Sequence, residues 1–162
     1  MDKSSLRPAH LRRIKSLAQL NDSQLTRFLN YVEVVVYEHS GSIFRQGQSA
    51  DSMFLILEGE VRVHIKQKSG ELLYLRLLHA GDAFGEIALL TQSVRSASVE
   101  AVKESLLLKI SADSFHKLLA DEPELAVKFL YRLACTLGRQ LADVTTRLRA
   151  LREFPDFITF IH

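Results

Sequence analysis

Apolar residues along the chain repeat with three different periods, and the changes of period divide it. In "PAHLRRIKSLAQLNDSQLTRFLNYV", from about Arg7 to Tyr31, they fall three and four apart, the spacing of one helical face. Asn21, Asp22 and Ser23 stand where a second helix in this lead-in needs its N-terminal cap. From about Val32 to Ile110 the helical period gives way to short runs rich in β-branched residues: "VEVVVYE", "MFLILEGEVRVHIKQ", "ELLYLRLL", "SASVEAV" and "SLLLKI". Turn signals at "HSGS", "RQGQSADS", "KSGE" and "HAGD" separate them. Several short strands with glycine turns predict a closed or sandwich-like antiparallel structure. In "EGEVRVHIKQ" the alternation puts Val61, Val63 and Ile65 on one face and Arg62, His64 and Lys66 on the other, so one face is inside.

From Ser111 the period is helical again. Ser111 or Asp113 caps a helix through "SFHKLLADEP", and Pro123 opens a longer one. Along it Leu125, Phe129, Leu133, Leu137, Leu141, Val144, Leu148 and Leu151 form a single apolar stripe on a helix of about 28 residues, near 40 Å long. That is longer than a compact body of this size needs. The tail "EFPDFITFIH" is rich in phenylalanine and isoleucine, which predicts that it packs on something. The expected divisions are a helical lead-in at 7–31, a β region at 32–110, C-terminal helices at 111–153 and an aromatic tail at 154–162.

Composition narrows the class. The chain's 162 residues suit one domain with a core and an extra element. With 47% of residues apolar and 25% charged, it has the balance of an ordinary globular protein. No apolar run approaches the roughly 20 residues of a spanning helix, and "MDKSSLRPAHLRR" lacks the apolar core of a signal peptide, so the expected location is the cytoplasm. The single cysteine, Cys135, lies in a helical pattern and reads as a small core or interface filler. Six scattered histidines repeat no ligand spacing, so no metal site is expected. A net charge of +2 does not argue for nucleic acid, and the basic residues of "HLRRIK" and Arg139, Arg147, Arg149 and Arg152 read as solvated helix faces.

The candidate chemistry lies in "FGEIALLTQSVRSASVEA", where Glu86 follows a glycine and precedes Arg95 by nine residues in a small, apolar run. Either the two pair with each other near the surface, an interaction of about 0–1 kcal/mol, or they await a ligand that supplies a partner to each. "GSIFRQGQSADSMFLILEGEVRVH" followed by "AGDAFGEIALLTQSVRSASVEA" resembles the cyclic nucleotide-binding domain family, which includes catabolite-activator-type regulators, cyclic-nucleotide-dependent kinases and nucleotide-gated channels. The resemblance runs from about Leu17 to Leu151. It rests on Gly41, Gly47, Gly59 and Gly81 at family-like spacing and on a phosphate-binding cassette at 84–97. It implies an α+β fold: an antiparallel β-roll of the double-stranded β-helix or jelly-roll type, with N-terminal helices and a long C-terminal helix. The implied ligand is cyclic AMP or cyclic GMP.

A 3′,5′-cyclic nucleotide carries one phosphate charge and a free ribose 2′-hydroxyl, so it needs an anion site close to a hydroxyl acceptor. Gly85 lets the backbone come close, and a short helix through Glu86, Ile87 and Ala88 aims free N–H groups at the phosphate. Arg95 adds a charge-assisted contact, and Glu86 suits the sugar hydroxyl. Phe84, Ser96 and Ala97 complete the expected cassette, with Val63, Leu73 and Leu75 as apolar lining. Val94 stands where many relatives carry proline, which loosens the expected loop. Ser96 does not discriminate between the two nucleotides. In "FLYRLACTL", which resembles the catabolite-activator helix that closes over the base, Thr136 is the expected hydroxyl, flanked by Arg132 and Arg139.

Only eleven residues follow Leu151, too few for a recognition helix, so direct DNA binding is not expected of this chain. No nucleophile with a positioned base, paired carboxylates or P-loop is recognisable, so the chain does not read as an enzyme. The expected role is a cyclic nucleotide sensor acting on an unidentified protein partner. Its alternatives are a scaffold module of the same fold, or the regulatory half of a DNA-binding regulator. The long stripe predicts a homodimer through the C-terminal helix, unless the aromatic tail folds back to cover it.

Overall fold

The computed structural model describes residues 3–91 and 93–153. Short helical turns open the chain: Lys3–Ser5, α1 (Pro8–Leu11), Lys15–Leu17, α2 (Asp22–Phe28) and Leu29–Tyr31. Asn21 is the cap of α2. Its side chain accepts the Gln24 backbone N–H at 2.9 Å, and the Gln24 side-chain oxygen accepts the Asn21 N–H at 3.1 Å. This reciprocal pair satisfies donors that a helix start leaves free. Leu11, Ile14, Leu17, Leu25 and Phe28 point inward, while Arg12 and Lys15 stay exposed and pair with Asp22 and Asp82.

Eight strands follow: β1 (Glu33–Tyr37), β2 (Ser42–Phe44), β3 (Ser52–Glu58), β4 (Glu60–Lys66), β5 (Leu72–His79), β6 (Ala83–Phe84), β7 (Ser98–Ala101) and β8 (Ser105–Ser111), with α3 (Glu86–Thr91) between β6 and β7. They pair antiparallel in two four-stranded sheets, ordered β1-β8-β3-β6 and β2-β7-β4-β5. This is the expected α+β architecture. Two strands, β2 and β6, were not predicted: at three and two residues they are too short to carry an alternation, and they read as turn and cassette.

The apolar run "MFLIL" of β3 is explained by burial on both faces. Met53, Leu55 and Leu57 pack toward the helices, whereas Phe54 and Ile56 pack between the sheets with Val61, Val63, Phe84, Val99 and Leu107. The chain reverses into β4 at Gly59, whose φ of 101° favours glycine and whose Cβ would lie 2.6 Å from Ser105 Cα. Beyond it Val61 and Val63 are buried and Ile65 half-buried, as the alternation requires.

Of the two candidate caps, Ser111 begins α4 (Ala112–Asp121), its hydroxyl oxygen accepting the Ser114 N–H at 3.1 Å. Pro123 begins α5 (Pro123–Glu153), where its missing N–H costs nothing. At 31 residues this helix runs about 46 Å and is three residues longer than expected. Its stripe divides. Leu125, Phe129 and Leu133 are buried against the body, but Leu141, Val144 and Leu148 are 68%, 52% and 58% exposed. Cys135 is half-buried on this helix. The Leu151 side chain and the aromatic tail lie outside the described residues, as does the question of what the tail packs on. No helix among the described residues is long and apolar enough to cross a membrane.

Candidate functional site

Most of the expected cassette surrounds one hollow of about 60 Å³ that opens to solvent. The sheet β2-β7-β4-β5 supplies Phe44, Val99, Val63 and Arg76, one residue from each strand. The opposite wall is the segment from Phe84 to Ile87 together with Arg95, Ser96 and Ala97. Beneath it Phe54 and Phe84 stack at 5.2 Å, and Phe44 tilts against both, an apolar floor that excludes water.

Arg95 is held from two directions. Its backbone N–H donates to Gln48 O at 2.8 Å and its carbonyl accepts the Gly47 N–H at 2.8 Å, which ties the cassette loop to the turn between β2 and β3. Its guanidinium donates through Nη1 to Gly85 O at 3.2 Å and through Nη2 to Ser52 Oγ at 3.1 Å, and lies 4.0 Å from the Phe44 ring centroid. These neutral partners orient the cation without neutralising it. The nearest carboxylate, Asp51, is 3.9 Å away and mostly exposed. Burial accordingly pushes the Arg95 pKa down, with the Asp51 charge opposing. An arginine side chain has five N–H donors, so this one keeps donors for an anion.

Glu86 begins α3 directly after Gly85, which has a φ of 78°. Burial pushes its carboxyl above the usual range, while its own backbone N–H and the charge of Arg76 pull the other way. Glu86 and Arg95 are 3% and 4% exposed, and no hydrogen bond or ion pair joins them. A mutual surface pair is therefore excluded. One hollow contains a buried cation and a buried carboxyl that leave each other unsatisfied, an arrangement that costs stability unless a ligand completes it.

The other expected residues divide. Phe84, Ile87, Ala97 and Val63 line the hollow, and Ser96 does so as an exposed side chain rather than a buried one bonded to backbone. Ala88 lies within α3, its side chain outside what is described. Leu73 and Leu75 do not line it: they are 43% and 45% exposed on β5. Leu73 pairs with Ile65, nearer the β4–β5 turn and beyond the hollow, whereas for Leu75 the reason is a bulge. Tyr74 pairs with His64 but Arg76 pairs with Val63, so Leu75 is the extra residue and the inward phase passes to Arg76. Thr136 is also elsewhere, near the middle of α5 beside Ser16, Leu78 and Asp82, with its hydroxyl donating to Arg132 O at 3.0 Å.

Sequence reasoning missed Arg76, Phe44 and Ser52. A strict alternation hides Arg76, because nothing in "LLYLRLL" marks the bulge. Phe44 and Ser52 reach the site only through sheet pairing. Among the described residues no group of His, Cys, Asp and Glu is arranged to hold a metal.

A model of the cyclic nucleotide-binding domain matches residues 34–122. The chain is 33% identical over 153 residues to the cGMP-dependent protein kinase, isozyme 1, of Drosophila melanogaster, a match covering 90% of this chain and 20% of the kinase. To the cyclic AMP receptor protein of Thermus thermophilus it is 32% identical over 123 residues, covering 76% of this chain and 55% of that protein. The crystal structure of the Thermus thermophilus catabolite activator protein superposes with a TM-score of 0.77 at 28% identity, over 85% of this chain and 63% of the other. The chain thus spans about half or less of the curated relatives it matches. Since the matched segment includes both sheets and the whole cassette, the chain belongs to the cyclic nucleotide-binding domain family.

Proposed function

We propose that this chain is a cytoplasmic cyclic nucleotide sensor, which takes one cyclic AMP or cyclic GMP into the cassette hollow and passes its occupancy on through α5. The observation that carries this reading is the pair of buried, opposite charges in one hollow that do not bond each other. Arg95 meets the cyclic phosphate, with Gly85 allowing close backbone approach and Ser96 and Ala97 keeping the loop narrow. Glu86 accepts the ribose 2′-hydroxyl, a charge-assisted bond that favours its ionised form. Val63, Val99 and Ile87 flank the sugar and base.

The chain acts by binding rather than by catalysis. Its output runs through the exposed stripe of α5, which also supports a homodimer: Leu141, Val144 and Leu148 stay exposed in one copy and can be buried by a second. A downstream protein then reads the position of the helix.

Isothermal titration calorimetry with each nucleotide tests the reading. Saturable binding at one ligand per chain is expected, and ligand at 100 times its Kd should stabilise the fold by about 2.7 kcal/mol. The absence of heat and of any melting shift with both nucleotides at millimolar concentration would remove the sensor and leave an assembly module of the same fold.

A further inference from the structure

The sheet β2-β7-β4-β5 carries a second concavity, a cleft of about 570 Å³, on the face turned away from the cassette hollow. Side chains alternate along a strand. Val63 and Val99 are buried on the hollow side, so His64 and Lys66 of β4 and Ser98 and Glu100 of β7 face the cleft. Its rim is the turn between β2 and β3, and two hydrogen bonds fasten that turn to the sheet. The Gln46 side-chain oxygen accepts the Lys66 N–H at 3.1 Å, and Ser98 Oγ accepts the Gln46 N–H at 3.0 Å. Arg45 and Lys66, far apart in sequence, thereby line one cleft.

The charges of this cleft do not cancel. Its carboxylate, Glu100, is already paired with Arg62 at 3.5 Å, whereas the Arg45 and Lys66 side chains make no hydrogen bond or ion pair with any described residue. His64 Nδ1 is buried in the wall and has no hydrogen-bond partner among the described residues. A buried nitrogen costs stability until a polar group meets it, and two unpaired cations in one concavity attract an anion. A phosphomonoester answers both, with a charge of about −1.5 to −2 near neutral pH and three acceptor oxygens. The volume lies within the roughly 300–1,000 Å³ of sites that take whole small molecules, so it exceeds what one phosphate ion fills. Ser42 and Ser98 offer hydroxyls to the organic remainder. We propose that this cleft is a second ligand site, which takes a small organic phosphomonoester with its phosphate on Arg45 and Lys66. His64 Nδ1 meets a phosphate oxygen when it carries the proton and a ligand hydroxyl when it does not. The site is separate from the cassette hollow and does not rest on the nucleotide reading.

The test is titration of the isotope-labelled protein, followed by its amide NMR signals, with two phosphomonoesters of different size, glycerol 3-phosphate and glucose 6-phosphate, and with inorganic phosphate and glucose as controls. At least one ester should shift the Gln46, Lys66 and Ser98 amides saturably at millimolar concentration, and more tightly than inorganic phosphate; glucose should shift none of them. Arg45→Ala combined with Lys66→Ala should weaken the ester at least about tenfold, the loss of one hydrogen bond to a charged group. Both side chains are exposed and bond nothing, so the double variant keeps its fold, which its unshifted core signals verify. Arg95→Ala should leave the ester titration unchanged. No saturable shift with either ester overturns the proposal, as does binding that survives the double variant. Inorganic phosphate binding as tightly as both esters would make this an ion site only and overturns it too. Shifts confined to the cassette amides and lost with Arg95→Ala would place the esters in the hollow, which removes the second site and leaves the nucleotide site standing.

Discussion

Replacing Gly85 by alanine should damage the site through Arg95. The residue sits at φ 78°, where an L side chain costs about 1–2 kcal/mol. A Cβ built on it lies 2.8 Å from Arg95 Nη1, whereas Ser52 O at 3.4 Å and Phe44 Cε1 at 3.5 Å are at ordinary contact distance. The guanidinium must therefore yield, and it is held by Gly85 O and Ser52 Oγ. A hydrogen bond to a charged group is worth about 1.5–3 kcal/mol, so losing one brings the total cost of Gly85→Ala to about 2.5–5 kcal/mol. In an Arg95→Ala background the collision vanishes and only the backbone strain of about 1–2 kcal/mol remains. Urea unfolding of the four proteins of this double-mutant cycle should then give a coupling energy of about 1.5–3 kcal/mol at unchanged m-value. Losses that add to within about 0.5 kcal/mol would refute the reasoning, because Gly85 would then be conserving backbone freedom alone and not the space that Arg95 occupies. Nucleotide affinity provides a second reading: Gly85→Ala that binds as tightly as wild type would show that the guanidinium need not sit where it does.

Glu86→Gln should stabilise the ligand-free protein at neutral pH. Because burial raises the folded pKa above the unfolded one, the fold favours the proton; that stability is fully present below the unfolded value and is lost as pH rises through the folded value. The variant's gain in urea midpoint at pH 7 should disappear below the carboxylate range, and a gain that is absent at pH 7 counts against a desolvated carboxyl. The same substitution should weaken binding of the ribose ligand more than that of its 2′-deoxy analogue in calorimetry, and equal losses would mean that Glu86 does not face the sugar. Leu141→Lys combined with Leu148→Lys should convert a dimer to a monomer in light scattering, and since neither side chain packs in the body of one copy, the melting temperature should fall only by what association itself contributes at that concentration; wild-type protein that is monomeric at high micromolar concentration would sink the dimer.

What could be read ahead of the structure was whatever a short window of residues encodes. The alternation in β4, the cap of α2 among Asn21, Asp22 and Ser23, and the stripe on α5 each involve neighbours in sequence, so period and spacing found them. The cassette was legible for a different reason: Gly85, Glu86 and Arg95 lie within one segment, and their types conflict with their apolar surroundings unless a ligand intervenes. Errors arose where a residue's role depends on pairing with a distant strand. The bulge between β4 and β5 hands the inward position from Leu75 to Arg76, and no glycine or proline announces it. Thr136 lies away from the hollow, because a helical pattern fixes which face a side chain shares but not how far along the body that face docks. Burial of Arg95 was invisible for the same reason, since Ser52 and Phe44 come to it from β3 and β2.

The division of α5 into an anchored part and a free part makes it a lever. Its last fully docked stripe residue is Leu133, and from there to Glu153 the helix continues for about 30 Å. A tilt of about 5° about Leu133 would carry the far end through about 2.6 Å, half the length of a helical turn. At the fulcrum the helix packs on the N-terminal turn Lys15–Leu17, where Arg132 donates to Lys15 O at 3.3 Å. On the sensor reading proposed above, a sub-ångström shift at the fulcrum would thereby be magnified at the exposed stripe residues Leu141, Val144 and Leu148.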